Sequence, residues 1–217
     1  MFCSFTEKTF EFFMAIGFNN NREFFHENHE WYVESVREPL RDLAAELAQT
    51  IEAIDPDLER RPERTVSRLN RDIRFSRDKS PYRDYMWIGF HPANANASAP
   101  GFYMDISAVS IGWGMGYYEE HREKMDVFRR RLTAETETFR RLALPLEELY
   151  RVDRQVYKRM AVPEELPAEL RAWYPLRSFS VNAGTSDMQT MLSADLPRRI
   201  KADYLRMKPL YDYFLSL

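Results

Sequence analysis

The sequence predicts an α+β fold in one domain over residues 1–217, with a central antiparallel sheet flanked by N- and C-terminal helices. Three observations carry that expectation. Apolar residues recur at spacings of three and four early in the chain, alternate strictly in the middle, and return to helical spacing at the end. Two alternating segments are joined by a single loop, as antiparallel neighbours are. Helices at both ends around such a sheet fit α+β better than a doubly wound α/β arrangement.

The elements follow in order. Ser4 and Glu7 have capping-box spacing before a short helix through Phe10, Phe13 and Met14, which ends near Gly17. Asn20 or Asn21 then caps a long helical stretch with Val36, Leu40, Leu43, Leu47, Ile51 and Ile54 on one buried face. Pro39 lacks an N–H and is expected to kink it, and Asp55-Pro56 ends it. Residues 65–69 read as a short strand. Met86, Ile88 and Phe90 alternate with Tyr85, Trp87 and Gly89, and Phe102, Met104 and Ile106 alternate again beyond a loop at 91–101. A helix is expected from near Glu119, with Met125, Phe128 and Leu132 inward, and another bears Phe139 and Leu142. Residues 155–160 and 176–181 read as strands. A last helix runs from Asp195 through Ile200, Tyr204 and Leu205 towards Pro209.

Bulk composition narrows the class. A chain of 217 residues, 44% hydrophobic, can bury a core without a disulfide or metal staple. The lone Cys3 excludes an internal disulfide and a thiol metal cluster, and it fits a reducing compartment, so a cytoplasmic location is expected. The N-terminus has no signal-peptide core, and no run of about 18 apolar residues would span a membrane. A net charge of −3 argues against bulk affinity for nucleic acid but permits a local basic patch. No pattern names a cofactor.

That patch exists. From Arg60 to Arg83 nine Lys or Arg residues meet three acids, Glu63, Asp72 and Asp78. One reading is an anion site, with Arg71, Arg74 and Lys79 gripping phosphate or carboxylate and the Ser80 and Tyr82 hydroxyls assisting. The other is a solvated basic edge, or arginines tied internally to Asp72 and Asp78. Lys79, in a turn, is expected at the surface; Arg74, before Phe75 at a strand end, is expected in a buried ion pair. In Asn19-Asn20-Asn21-Arg22, one asparagine is needed as a helix cap. Arg22 lies in the first helical turn, where a cation opposes the helix dipole and calls for an acid or a bound anion. Asn20 and Arg22 are therefore expected to approach the 71–82 segment and complete a pocket for a small anionic ligand. In an enzyme, Asp72 or Asp78 would be the acid–base group, with phosphoryl or phosphodiester hydrolysis the first class to test. Two alternatives remain open. One is an interaction module that contacts single-stranded nucleic acid through phosphates and through Phe75, Tyr82 and Tyr85, or that contacts a protein. The other is a salt-bridge network that only sets the fold.

Other signals are weaker. Gly112, Gly114 and Gly116 match neither a Rossmann nor a P-loop spacing and read as a bent strand end. His26 and His29 are three apart, not the four of a zincin helix, and read as surface histidines. Tyr157-Lys158-Arg159 forms a second small basic group.

The Asn20-Asn21-Arg22 turn, the run Arg71-Asp72-x-Arg74-Phe75-Ser76-x-Asp78-Lys79-Ser80-Pro81-Tyr82, and Gly112-x-Gly114 together resemble a mainly bacterial family, domain of unknown function 2461. The resemblance extends over nearly the whole chain. Phe24 stands where the family is expected to have Trp. The resemblance implies a compact single-domain protein and implies no substrate, cofactor or catalytic residue.

Overall fold

The computed structural model describes residues 2–74, 77–92, 99–118 and 120–217. Its helices are α1 (Glu7–Phe18), α2 (Arg22–Glu27), α3 (His29–Tyr32), α4 (Glu38–Ile54), α5 (Pro62–Thr65), α6 (Arg122–Ala134), α7 (Thr136–Leu149), α8 (Met188–Met191) and α9 (Leu196–Leu215). The strands are β1 (Tyr85–Phe90), β2 (Gly101–Ser107), β3 (Ile111–Tyr117), β4 (Arg151–Val156) and β5 (Leu176–Thr185). They form one antiparallel sheet in the order β1-β2-β3-β5-β4, so the fold is α+β. β4 pairs with β5 through Val152 opposite Val181 and Arg154 opposite Phe179. Among the described residues no helix is long and apolar enough to cross a membrane.

Contacts divide the chain into two compact units. The first comprises Met1–Phe90, Tyr103–Trp113 and Gly184–Ala202; the second comprises His91–Phe102, Gly114–Ala183 and Asp203–Leu217.

In the first unit, Leu40, Leu43, Leu47 and Ile51 of α4 are fully buried, as are Met86 and Ile88 of β1 and Met104 and Ile106 of β2. Each such side chain contributes roughly 1.5–3 kcal/mol relative to exposure. The long helical stretch expected after Asn20 is interrupted. Asn21 caps only the short α2, and a π-helical turn at Val33–Arg37 precedes α4. Pro39 is the physical reason for the π-helical turn. It cannot donate to the Ser35 carbonyl, and its ring would crowd that carbonyl in a regular helix. The Ser35 carbonyl instead accepts from the buried Thr9 hydroxyl at 2.6 Å, and that hydroxyl accepts from the Thr6 N–H at 3.2 Å. Thr6, not Ser4, therefore marks the start of α1. Residues 65–69 hold no strand: Thr65 closes α5, and Val66 makes a single bridge to Ile88.

In the second unit an aromatic cluster forms the core. Phe128 of α6 lies 5.2 Å from Phe139 of α7, Phe139 lies 5.1 Å from Trp173, and Phe214 of α9 lies 4.4 Å from Phe179 of β5. Leu210, Tyr211 and Phe214 are fully buried, which holds α9 helical past Pro209 to Leu215. The helix expected from Glu119, a residue outside the described set, begins at Arg122, with His121 Nδ1 accepting from the Lys124 N–H. The strand expected at 155–160 lies earlier in the chain. β4 ends at Val156, where its register against β5 shifts, and 157–160 is a connecting segment.

Candidate functional site

The basic segment of the first unit closes on itself. Asn70 and Tyr82 form an antiparallel bridge, with the Arg71 N–H donating to Pro81 and the Arg83 N–H to Leu69, both at 2.9 Å. Residues 69–83 are thus closed at their base as a hairpin-like loop; Phe75 and Ser76 lie outside the described residues. In this geometry the Tyr82 N–H and carbonyl point away from Asn70. The Asn20 side chain takes both: its Oδ1 accepts from the Tyr82 N–H and its Nδ2 donates to the Tyr82 carbonyl, each at 3.0 Å. Asn20 meets the 71–82 segment as the sequence predicts, but its amide is occupied by main chain.

The other residues proposed for a pocket are engaged locally. Arg71 pairs with Asp78. Arg74 forks onto Asp72 at 2.7 Å with its side chain 77% exposed, so the buried pairing expected for it is not found. A residue two positions from its acid at the rim of a loop forms an exposed pair instead. Lys79 is exposed, as expected, and donates to the Ile73 carbonyl at 2.9 Å. Ser80 turns its hydroxyl onto Asp78 at 2.7 Å. Tyr82 is only 6% exposed, and its ring packs 4.5 Å from Phe25. Arg22 is exposed in the first turn of α2 and makes no ion pair among the described residues. The acids expected to compensate it are engaged elsewhere: Asp72 and Asp78 serve Arg74 and Arg71. Both carboxyls sit low. The Arg74 fork brings Asp72 from 3.8 to about 2, and the Ser80 hydroxyl, with the Ser80 N–H and Arg71, lowers Asp78.

The glycine run lies within β3 and has no positive φ. Two of its glycines, Gly112 and Gly116, make room for neighbours. A Cβ on Gly112 would come within 2.7 Å of Asp105 Oδ1, and one on Gly116 within 2.8 Å of the Phe179 carbonyl oxygen. Close approach, not a turn, accounts for them. His26 and His29 are exposed, and His29 packs edge-on to Phe25.

A more site-like arrangement lies in the second unit. A cleft of about 830 Å³ is lined by Glu120, Arg122, Asp126, Arg129, Tyr157, Lys158, Arg159 and Met160. Helix α6 places Arg129 on its inner face, four residues after Met125 and three before Leu132. Arg129 is 7% exposed; it donates to the Leu176 carbonyl at 3.2 Å and to Asp126 at 2.7 Å. Tyr157, just past β4, has the Arg129 guanidinium 5.8 Å and the Arg177 guanidinium 5.2 Å from its ring. Its hydroxyl donates to Glu120 at 2.5 Å, and Arg177 pairs with the same carboxylate. Those two donors hold the Glu120 carboxyl below its ordinary range, Arg177 foremost, and the Glu120 carboxylate raises the Tyr157 phenol.

Among the described residues, four cations thus line the cleft against two carboxylates, and both of these carboxylates are committed, Asp126 to Arg129 and Glu120 to Arg177. Arg122, Lys158 and Arg159 make no ion pair among the described residues. Of these groups the sequence flagged only Tyr157-Lys158-Arg159. The signal for Arg129 was present: a charged residue at an apolar-face position of the Met125, Phe128, Leu132 series. Nothing local marked Glu120 or Arg177.

Residues 8–213 match the family described as "Conserved hypothetical protein (DUF2461)". The match spans nearly the whole chain, so the chain belongs to that family. No curated protein matches it.

Proposed function

We propose that this member of the family binds a small anion bearing phosphate or carboxylate groups, and that it does so in the cleft of the second unit. The observation that carries the reading is the ring of uncommitted cations, Arg122, Lys158 and Arg159, around a concavity anchored by the buried Arg129. Concave walls concentrate the field of such a ring, and a guanidinium whose position is already fixed loses little freedom on meeting an anion. A small ligand fits a cleft of this volume, whereas an extended strip would suit a nucleic-acid strand.

Binding is better supported than hydrolysis. An exposed carboxylate held at about 2, as Asp72 is, is a weak proton acceptor near neutrality, and Asp78 is lowered in the same direction. The Arg71, Arg74 and Lys79 set is engaged within its own loop, which supports the internal-pairing alternative for that segment.

Calorimetric titration with inorganic pyrophosphate and with citrate at low salt tests the reading. Saturable binding that weakens as salt is raised is expected. It should disappear in a Lys158→Ala/Arg159→Ala variant and persist in an Arg71→Ala/Lys79→Ala variant. Loss in the loop variant with retention in the cleft variant would return the site to the 69–83 segment. An absence of binding to either anion in the unmodified protein would reject the proposal.

A further inference from the structure

The first unit carries a groove of different chemistry. It has a volume of about 570 Å³ and is lined by the C-terminal end of α1, the entry to β1, and the β2–β3 turn. Its rim is apolar and open to solvent: Phe18 is 84% exposed and Val109 68%, with Met14 and Tyr85 also exposed. Isolated exposed apolar side chains are ordinary, but four around one concavity are a patch with a shape.

Two carboxylates, Asp84 and Asp105, line the same groove. Neither makes an ion pair or a side-chain hydrogen bond among the described residues, and no Lys or Arg lines the groove. Asp105 is the more unusual of the two. It projects from β2 against Gly112, where the missing Cβ gives its carboxylate room. Burial pushes its carboxyl above the ordinary value, with no donor or cation to offset the lost hydration. In the 69–83 loop, by contrast, Asp72 and Asp78 are each held by a guanidinium.

Carboxylates beside aromatic faces are the chemistry that recognises a protonated amine. The cation meets its counter-charge at the carboxylate and the negative face of the ring at its flank, and an apolar body covers the rim. We propose that this groove binds an amphipathic organic ammonium, with the ammonium at Asp105 and Asp84 and its apolar chain against Met14, Phe18, Tyr85 and Val109. The site is independent of the anion cleft and its ligand is of opposite charge, so either can fail without the other.

Amide chemical-shift titrations with n-hexylammonium, n-hexanol and hexanoate test it. Hexylammonium should produce saturable shifts confined to residues 13–18, 84–85 and 105–109. Hexanol should bind about tenfold or more weakly, and hexanoate should give no shifts there. Asp105→Asn keeps the side-chain shape and should weaken hexylammonium binding by about tenfold, with Asp84→Asn giving a smaller loss in the same direction. Equal binding of hexanol and hexylammonium would overturn the proposal, because the groove would then be merely apolar. Shifts mapping elsewhere, or unchanged affinity in both variants, would overturn it as well. If Asp105→Asn fails to fold, Asp84→Asn and the hexanol comparison decide the matter on folded protein.

Discussion

The loop at 69–83 and the cleft at Arg129 are both built from arginines and lysines, and they use them differently. In the loop each acid lies a few residues from the cation it serves: Asp72 two from Arg74, and Asp78 seven from Arg71. The charges cancel where they arise, and they shape the turn that carries them. Around the cleft one pair is local, Arg129 with Asp126 three residues away, whereas Glu120 is committed to Arg177, 57 residues distant. Of the two acids among the described lining residues, one is thus taken within its own helix and the other by tertiary folding, and Arg122, Lys158 and Arg159 are left without an ion pair. A local excess of positive charge in a sequence is thus a poor guide to an anion site. What matters is whether acids within reach can consume that excess before a ligand does.

The largest expected effect that would sharpen this contrast is at Arg129. Arg129→Met removes the donor to the Leu176 carbonyl inside a packed wall. Such a loss costs about 1–3 kcal/mol in urea unfolding. Asp126 remains hydrated, so no buried charge is stranded. No measurable loss would mean that the cleft's anchor is as dispensable as the loop's pairs, and the contrast would break.

Next comes Asn20→Ala, which strands the N–H and carbonyl of Tyr82. We expect about 2 kcal/mol of destabilisation, with Asn20→Asp intermediate because it keeps the acceptor and loses the donor. If Asn20→Ala instead left stability unchanged and abolished anion binding, the asparagine would be a ligand residue.

A smaller effect is expected from pH. Asp72 titrates at about 2 against 3.8 for an unpaired carboxyl. A lowered folded value means a contribution that is present above 3.8 and lost as pH falls through about 2. Exposure and solvent screening keep that contribution small. Asp105 has the opposite sign: its raised value makes the ionised form a liability, imposed as pH rises through the folded value and absent well below 3.8. Carboxyl-carbon NMR titration should show the two curves displaced to opposite sides of the ordinary midpoint, with Arg74→Ala returning Asp72 towards it. The smallest effect belongs to Arg74→Ala and Lys79→Ala, made singly. Neither should move the urea midpoint measurably, because both groups are exposed. A large shift at Arg74 would restore the buried role that the sequence suggested.

The sequence displayed those parts of the molecule that depend on local spacing. The α4 face and the β1 and β2 alternation were readable because burial imposes its period directly on the residues. Pro39 announced a disturbance, though not that Thr9, 26 residues away, would answer the Ser35 carbonyl. The meeting of Asn20 with the 71–82 segment was legible as proximity. Its meaning was not, since which atoms an amide serves depends on the direction in which Tyr82 presents its backbone. The cleft was least legible. Arg129 carried a signal in its helical phase, but the commitment of Glu120 to Arg177 exists only after the chain has folded.

The Asn20 clasp has one more consequence. Without it the Tyr82 N–H and carbonyl would face outward unpaired, and an open edge of that kind is a template onto which a strand from another molecule can add. The Asn20 amide fills that edge with a donor and an acceptor but offers no onward backbone, so pairing begun there has nowhere to propagate. A side chain in this position works as a terminator: it completes the ladder of one molecule and denies a starting point to aggregation between molecules.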